Sequence, residues 1–572
     1  MLGNVVKNSS SMERIAALVT AIMAILLSLA TFRMASYSLS PVPLYDDWAF
    51  LDPAGVWFGL FALKSEHRIV LSKLVFLADI QFLHGRHLAE LAVNAIMLLS
   101  LGALYYAAVK LDPISTPTRA VLATFIILIF AISPLTLGVL LWAMHVQNVG
   151  VNFFALIAFL CLARSAQTRP EQGSAYYLLL APSMFCGAFA SLVSAPGVLV
   201  SILLVLQAAV LRMGRRVISI LGIVAIACTW YYLHGNPGQG NFIATLVSTP
   251  LLAGRFFLIF LGSFVTQALR HSDTVAYPGL TLCFGLASLL ILVTNIYVLV
   301  HRCRTKGPGL PQFAIFTLTA TAFFLLSAGL VAGGRTVFGI SFAYTEHYNI
   351  LRALYWGNLL ISVPACWTTP RAWTITGAIA LSAAVCFAAE LPEERIGLAY
   401  RNASLNQAGA AIASVVYDPS AWQLVNTWDN ANPATGRFQQ TQAELLQRTR
   451  QSVFYDAPSA WLGRQIQDLP HVNHTCSGSM VTSESSADRI GPYVIVKGWV
   501  RAAIRTDKLP QIILVDSLGT VRGFAAVEAM KTKKSNWIGY ARLAAAPADA
   551  YLFQAGAVCH LVGSSGKATI EP

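Results

Sequence analysis

From Ile15 onward the chain carries one apolar run of about twenty residues after another, the length a helix needs to cross a bilayer's hydrocarbon. The runs cover 15–35, 87–109, 120–141, 148–164, 176–192, 194–211, 216–234, 278–300, 311–333, 350–367 and 372–389, which makes about 11 candidate spans. Hydrocarbon offers backbone amides no water, so such runs fold as helices. Two shorter or more amphipathic runs, 69–84 and 251–269, are expected to lie in the interface or to re-enter. Composition agrees. Hydrophobic residues make up 56% of the 572 and charged residues only 11%, against about 45–50% and about 25% in a soluble domain. Soluble classes are thereby excluded. The net charge of +13 reflects few acids, 26 against 39 Lys and Arg, so nucleic acid is not expected as a partner.

The first run follows Lys7 and Arg14 and is not followed by a small-residue cleavage site, so it reads as an anchor rather than a signal peptide. With the N-terminus in the cytoplasm, Lys110, Arg119, Arg164, Arg169, Arg212, Arg215, Arg216, Arg302, Arg304, Lys306 and Arg371 fall on the inner side, as the positive-inside rule requires. This threading holds only if 69–84 and 251–269 do not cross, and it leaves the C-terminus outside. The outer loops, about 38–86, 142–147, 235–277 and 334–349, are the longer and chemically richer ones. Function is expected there.

Three parts are expected: a transmembrane domain over 1–390, a polar linker with a helical segment over 391–475, and a small β-domain over 476–572. In the last, Tyr493–Val500, Ile512–Asp516, Val521–Val527, Trp537–Leu543 and Tyr551–Leu561 read as short antiparallel strands. Cys476 and Cys559 bracket them. Outside an inner membrane the two could form a disulfide clamping the domain's ends, or stay separate buried thiols. The remaining seven of the nine cysteines show no CxxC or Cys/His spacing, so they read as small apolar packing residues.

The first outer loop opens Tyr45-Asp46-Asp47-Trp48. Asp46 and Asp47 can serve as general base toward an acceptor hydroxyl, or hold a divalent cation, Mg or Mn, against a phosphate. Trp48 suits a sugar face or a lipid headgroup. The competing reading is a helix cap with an interfacial anchor. Glu66-His67-Arg68 follows, joining an acid, a proton shuttle and a phosphate grip; its bland reading is a solvated turn. Asp79, Arg86, His87 and Glu90 lie around the next helix start and read individually as structural. His145, Gln147 and Asn148 could bond a sugar, though an interfacial role suits them better. The loop 333–352 brings Arg335, His347 and Arg352. Outer-face cations run against the charge rule, and a lipid-linked phosphate explains them, as do anionic headgroups.

An acidic first loop after span one, interfacial helices after it and a many-span body resemble the GT-C superfamily of integral membrane glycosyltransferases. Tyr-Asp-Asp-Trp48, Glu-His-Arg68 and the Gly-Gly-Arg335 loop are similar to bacterial members with a periplasmic β-domain tail. The resemblance implies a carboxylate base or metal ligand at Asp46 or Asp47, a polyprenyl-phosphate sugar donor, and an envelope glycan, lipid or protein acceptor. It also implies a location in the bacterial inner membrane with the tail in the periplasm, where the tail would bind sugar or position acceptor. Two other functions remain open. A polysaccharide polymerase or ligase would lean on Arg335, His347 and Arg352. A lipid-linked-sugar flippase would need charges deep within several spans.

Overall fold

The computed structural model describes residues 11–562 except 64–66, 114, 169–173, 235–240, 270–276, 307–310, 426–432, 456–457, 472–474, 489, 502–511, 529–534, 543–546 and 555–556. The helices are α1 (Ser11–Tyr37), α2 (Pro53–Phe58), α3 (Val70–Leu83), α4 (Leu88–Val109), α5 (Pro117–Ala131), α6 (Leu137–Leu141), α7 (Val146–Ser165), α8 (Ser174–Val193) and α9 (Val198–Val210). They continue with α10 (Arg215–Leu233), α11 (Asn241–Ser248), α12 (Pro250–Leu269), α13 (Pro278–Lys306), α14 (Gln312–Arg335), α15 (Asn349–Trp367), α16 (Pro370–Ala413) and α17 (Pro433–Thr449). The chain forms two compact units. The first comprises residues 1–35, 60–72 and 91–393, and the second 36–59, 73–90 and 394–572.

Among the described residues, nine helices are long and apolar enough to cross a membrane, or ten if one bent pair is a single span. That is fewer than the expected 11, for identifiable reasons. The run 120–141 is a broken element, Pro117–Ala131 and Pro134–Leu141 turned by 57°. Pro134 lacks an amide hydrogen and disfavours helix at Ser133. The run 194–211 is a short helix, and α15, which carries Asn349, Arg352 and Asn358, is not among the nine. Conversely, α12, expected to lie in the interface or re-enter, has the length and apolarity to cross. The inward threading of the N-terminus holds only if this helix does not cross, and its length and composition permit crossing. In the first unit α12 packs against α13 backbone to backbone. A Cβ on Gly262 would meet the Thr281 carbonyl oxygen at 1.9 Å, and one on Gly285 the Leu258 oxygen at 2.1 Å. Such glycine contacts let helices approach closely where lipid supplies no hydrophobic drive.

The second unit is built on a closed barrel of β1 (Cys476–Ala487), β2 (Pro492–Val500), β3 (Ile512–Val515), β4 (Val521–Val527), β5 (Ser535–Arg542), β6 (Asp549–Gln554) and β7 (Ala557–Val562). Its strand order is β1-β2-β5-β4-β3-β6-β7. The expected antiparallel domain is corrected in two respects. The run 551–561 is two strands, β6 and β7, paired antiparallel. The Ser-rich β1 lacks the apolar alternation that marks a strand, and its parallel pairing with β7 closes the barrel. Cys476 and Cys559 are joined in a disulfide across this closure. Inside, Val494, Val496, Ile512, Leu514, Leu552 and Trp537 form the core. Helix α16 ends against the barrel: Ser414 Oγ accepts from the Phe524 amide at 2.9 Å, and the phenol of Tyr493 donates to Asp418 at 2.8 Å. Buried Asp488 is bridged by Arg542 at 2.7 Å. Burial opposes its charge, but Arg542 and the Tyr417 and Ile490 amides prevail and hold the carboxyl below its ordinary value.

Gly498 pairs with Trp537, and a Cβ there would lie 2.2 Å from the indole and 2.3 Å from the Ser479 oxygen. Gly498→Ala should therefore cost about 1–3 kcal/mol of barrel stability. Limited proteolysis of the whole protein in detergent would show faster cleavage of its C-terminal part. Unchanged cleavage would mean that the indole swings aside without penalty.

Candidate functional site

The first-loop acids belong to the second unit. Residues Tyr45–Phe50 form one tight 3-10 turn in which Asp47 is buried, Oδ2 accepting from the Leu44 amide at 3.1 Å and the Asp47 amide donating to the Leu44 carbonyl at 2.8 Å. Asp46, its neighbour, stays partly exposed. The acids are thus divided: Asp47 clamps the turn and Asp46 stays partly exposed. Trp48 is fully buried, stacked on Trp422 at 5.4 Å with its indole NH donating to the Val425 carbonyl at 2.9 Å. In this arrangement its face meets tryptophan rather than a sugar. Asp52 caps α2 through the Ala54 amide at 3.1 Å.

A second acidic group lies in the same unit. Asp79, His87 and Glu90 present one ligand atom each, all within 4.8 Å of one another. The chain reaches this arrangement through His84, Gly85 and His87, which all take positive φ. Asp79 caps the start of α4, accepting from the His87 amide at 2.8 Å and the Ala89 amide at 2.9 Å. Burial pulls the His87 imidazole below its ordinary range, against Asp79, which pulls it up. Among the described residues this is the group of three convergent metal-type ligands, and it contains neither Asp46 nor Asp47.

The cations belong to the first unit. Arg68 is buried and donates to the carbonyls of Phe61, Tyr231 and His234 at 2.6, 3.2 and 3.1 Å, with its guanidinium 4.3 Å from the Tyr231 ring. His67 is half-buried just before it, and Glu66 lies outside the described residues. Arg352 is fully buried; it donates to Ser263 Oγ, to the Asn349 side chain, to the Thr345 carbonyl and to the Ala343 carbonyl at 2.9 Å. Both arginines tie loops to helices. Arg335 is partly exposed, its Nε donating to the Tyr348 hydroxyl at 3.2 Å.

The two segments read separately in the sequence, 142–148 and 333–352, meet here. His347 lies 5.1 Å from Trp142, 4.9 Å from His145 and 4.6 Å from Tyr348, ring centre to ring centre. Asn148 stands 3.0 Å from His145 Nδ1. Burial, then Arg335, His67 and Arg352, hold the His347 imidazole down at about 4.

Comparison of the chain with protein-family models and with curated proteins gives no match. The Asp79–His87–Glu90 grouping was visible in the sequence only residue by residue. Its spacing fits no short metal motif, because a left-handed loop rather than a helix face brings the three together. The available signal was Glu90 itself, an acid within an apolar run long enough to cross.

His347 fixes a pH dependence. With its folded value near 4 and an ordinary value of about 6.5, the unfolded chain takes up a proton in that window and the folded chain does not. Stability is thus complete above about 6.5 and falls as pH drops toward about 4. The thermal midpoint should fall more between pH 7.5 and pH 5 in the wild type than in His347→Gln. Equal falls would show that His347 is already protonated in the folded protein.

Proposed function

We propose that the protein is an integral membrane glycosyltransferase, moving a sugar from a polyprenyl-phosphate donor to an envelope acceptor at the outer face of a bacterial inner membrane. The observation that carries this reading is the division of labour in the first-loop pair. Asp47 is buried and closes the turn, while Asp46 remains accessible with its backbone fixed. A pre-positioned carboxylate near a membrane surface suits the removal of a proton from an acceptor hydroxyl. In that step the hydroxyl oxygen bonds to the anomeric carbon, the carbon–oxygen bond to phosphate breaks, and polyprenyl phosphate leaves. Asp46 takes the proton. The long apolar helices provide the solvent in which a prenyl chain is soluble.

The polymerase or ligase alternative draws on Arg335, His347 and Arg352. Burial of Arg352 with four protein acceptors, and the depressed basicity of His347, leave that reading with Arg335 as its principal cation. In the transferase reading Asp46 is the base and Asp47 is a positioning residue.

The test is turnover by the purified full-length protein with a panel of radiolabelled polyprenyl-phosphate sugars and a crude envelope acceptor. Asp46→Asn should lower kcat by about 10²–10⁴-fold with little change in KM for the donor. Turnover indifferent to Asp46→Asn would remove Asp46 as the base. Absence of both turnover and donor binding would remove the transferase altogether.

A further inference from the structure

The buried group at the start of α4 poses an electrostatic problem that the fold does not solve by itself. Glu90 is 1% exposed, and both its carboxylate oxygens are buried without a hydrogen-bond partner among the described residues. Both ring nitrogens of His87 are in the same condition. Asp79, also 1% exposed, stands beside them. Leaving one buried polar group unsatisfied costs about 1–3 kcal/mol, and more if it is charged. Native proteins seldom tolerate several in one place unless a water or an ion completes them. Asp47 contributes further negative potential at Glu90. Two carboxylates, an imidazole and an added negative field are thus gathered, and among the described residues no cation is bonded to Glu90 or His87.

We infer that Asp79, His87 and Glu90 form a binding site for a divalent transition-metal ion, Zn²⁺ or Mn²⁺, held by two carboxylates and one imidazole. The donor set selects this class. An imidazole favours transition metals, whereas all-oxygen sites favour Mg²⁺ and Ca²⁺. Three protein ligands leave a coordination position open, as in reactive rather than purely structural zinc sites. The amide bonds to Asp79 use one lone pair on each oxygen and leave one on each for the metal. They also orient the carboxylate, as outer-shell donors do for metal ligands. Ligands at about 2.0–2.2 Å from a metal sit about 3–4 Å apart. The observed spread, within 4.8 Å, closes to that by side-chain rotation of about 1 Å. The edge of the His87 ring packs on Phe76 at 6.0 Å, giving the site one apolar wall.

This site lies apart from the Asp46–Asp47 pair in ligand set, and it does not rest on the transfer reaction. Its test needs no sugar donor. The full-length protein, prepared without a polyhistidine tag and stripped with EDTA, is dialysed against Zn²⁺ or Mn²⁺ and assayed for bound metal. The wild type should retain one ion per chain. Glu90→Gln and His87→Gln should bind at least about tenfold more weakly, and Asp46→Asn should bind as the wild type does. With Mn²⁺, pulsed electron paramagnetic resonance should detect coupling to an imidazole nitrogen in the wild type and not in His87→Gln. Stripped Glu90→Gln should melt at or above the stripped wild type, because a neutral amide of the same size replaces an unpartnered buried carboxyl beside Asp79. Weak binding with intact melting therefore reports the site rather than the fold. Absence of bound metal in the wild type, or binding lost in Asp46→Asn and kept in Glu90→Gln, would overturn the inference. So would nitrogen coupling that survives His87→Gln.

Discussion

Everything else in this chain follows from the cost of placing an unbonded peptide group where water cannot reach it. In the apolar runs that cost permits only helix. It also dictates what happens where helix stops. At Ser133–Pro134 the break is covered, because Thr136 Oγ1 accepts from the Ser133 amide and donates to the Ser133 and Ala131 carbonyls. At the turn before α15, the carbonyls of Ala343 and Thr345 are taken up by Arg352. The carbonyls of Phe61, Tyr231 and His234 are taken up by Arg68. These arginines are therefore hydrogen-bond donors of last resort to irregular backbone. Cationic residues in outer loops need not signal an anionic ligand. They can equally signal carbonyls that the fold has left exposed.

This separates what the sequence makes legible from what it conceals. Length and apolarity place most of the helices, because burial in hydrocarbon is a local property of each run. The strands Tyr493–Val500 and Val521–Val527 were equally plain, since a half-buried strand alternates along its own length. Strand β1 was hidden because Cys476–Ala487 is chosen by its partners on both sides, not by its own hydrophobicity. The meeting of Trp142 and His145 with His347 was hidden for the same reason: it depends on contacts about two hundred positions apart. Trp48 shows the limit most clearly. An aromatic beside two acids in an outer loop suggested a sugar platform, and only Trp422, far along the chain, decides that it is core.

The first loop is therefore less a loop than a part of the C-terminal unit. Its turn is anchored by stacking and by one indole hydrogen bond to Val425, and the segment 73–90 joins the same body through the His84 carbonyl, which accepts from the Ser452 amide at 2.7 Å. Rigidity of this kind matters for any chemistry at Asp46, because a carboxylate that wanders by an ångström loses much of its effectiveness as a base. The barrel in the same unit is closed on itself and joined at its seam by a disulfide.

The distance along the chain from Trp48 to Val425, 377 residues, also sets a clock. At ribosomal speeds of about 5–20 residues per second, that stretch takes about 20–75 s to make. The carboxylate-bearing segment emerges long before the residues that hold it. During that interval the segment has no tryptophan to stack on and no carbonyl to hold it. Its acids acquire their final surroundings only after Trp422 and Val425 have been made. A chain that stops short of these residues would insert helices without ever giving Asp46 and Asp47 those surroundings.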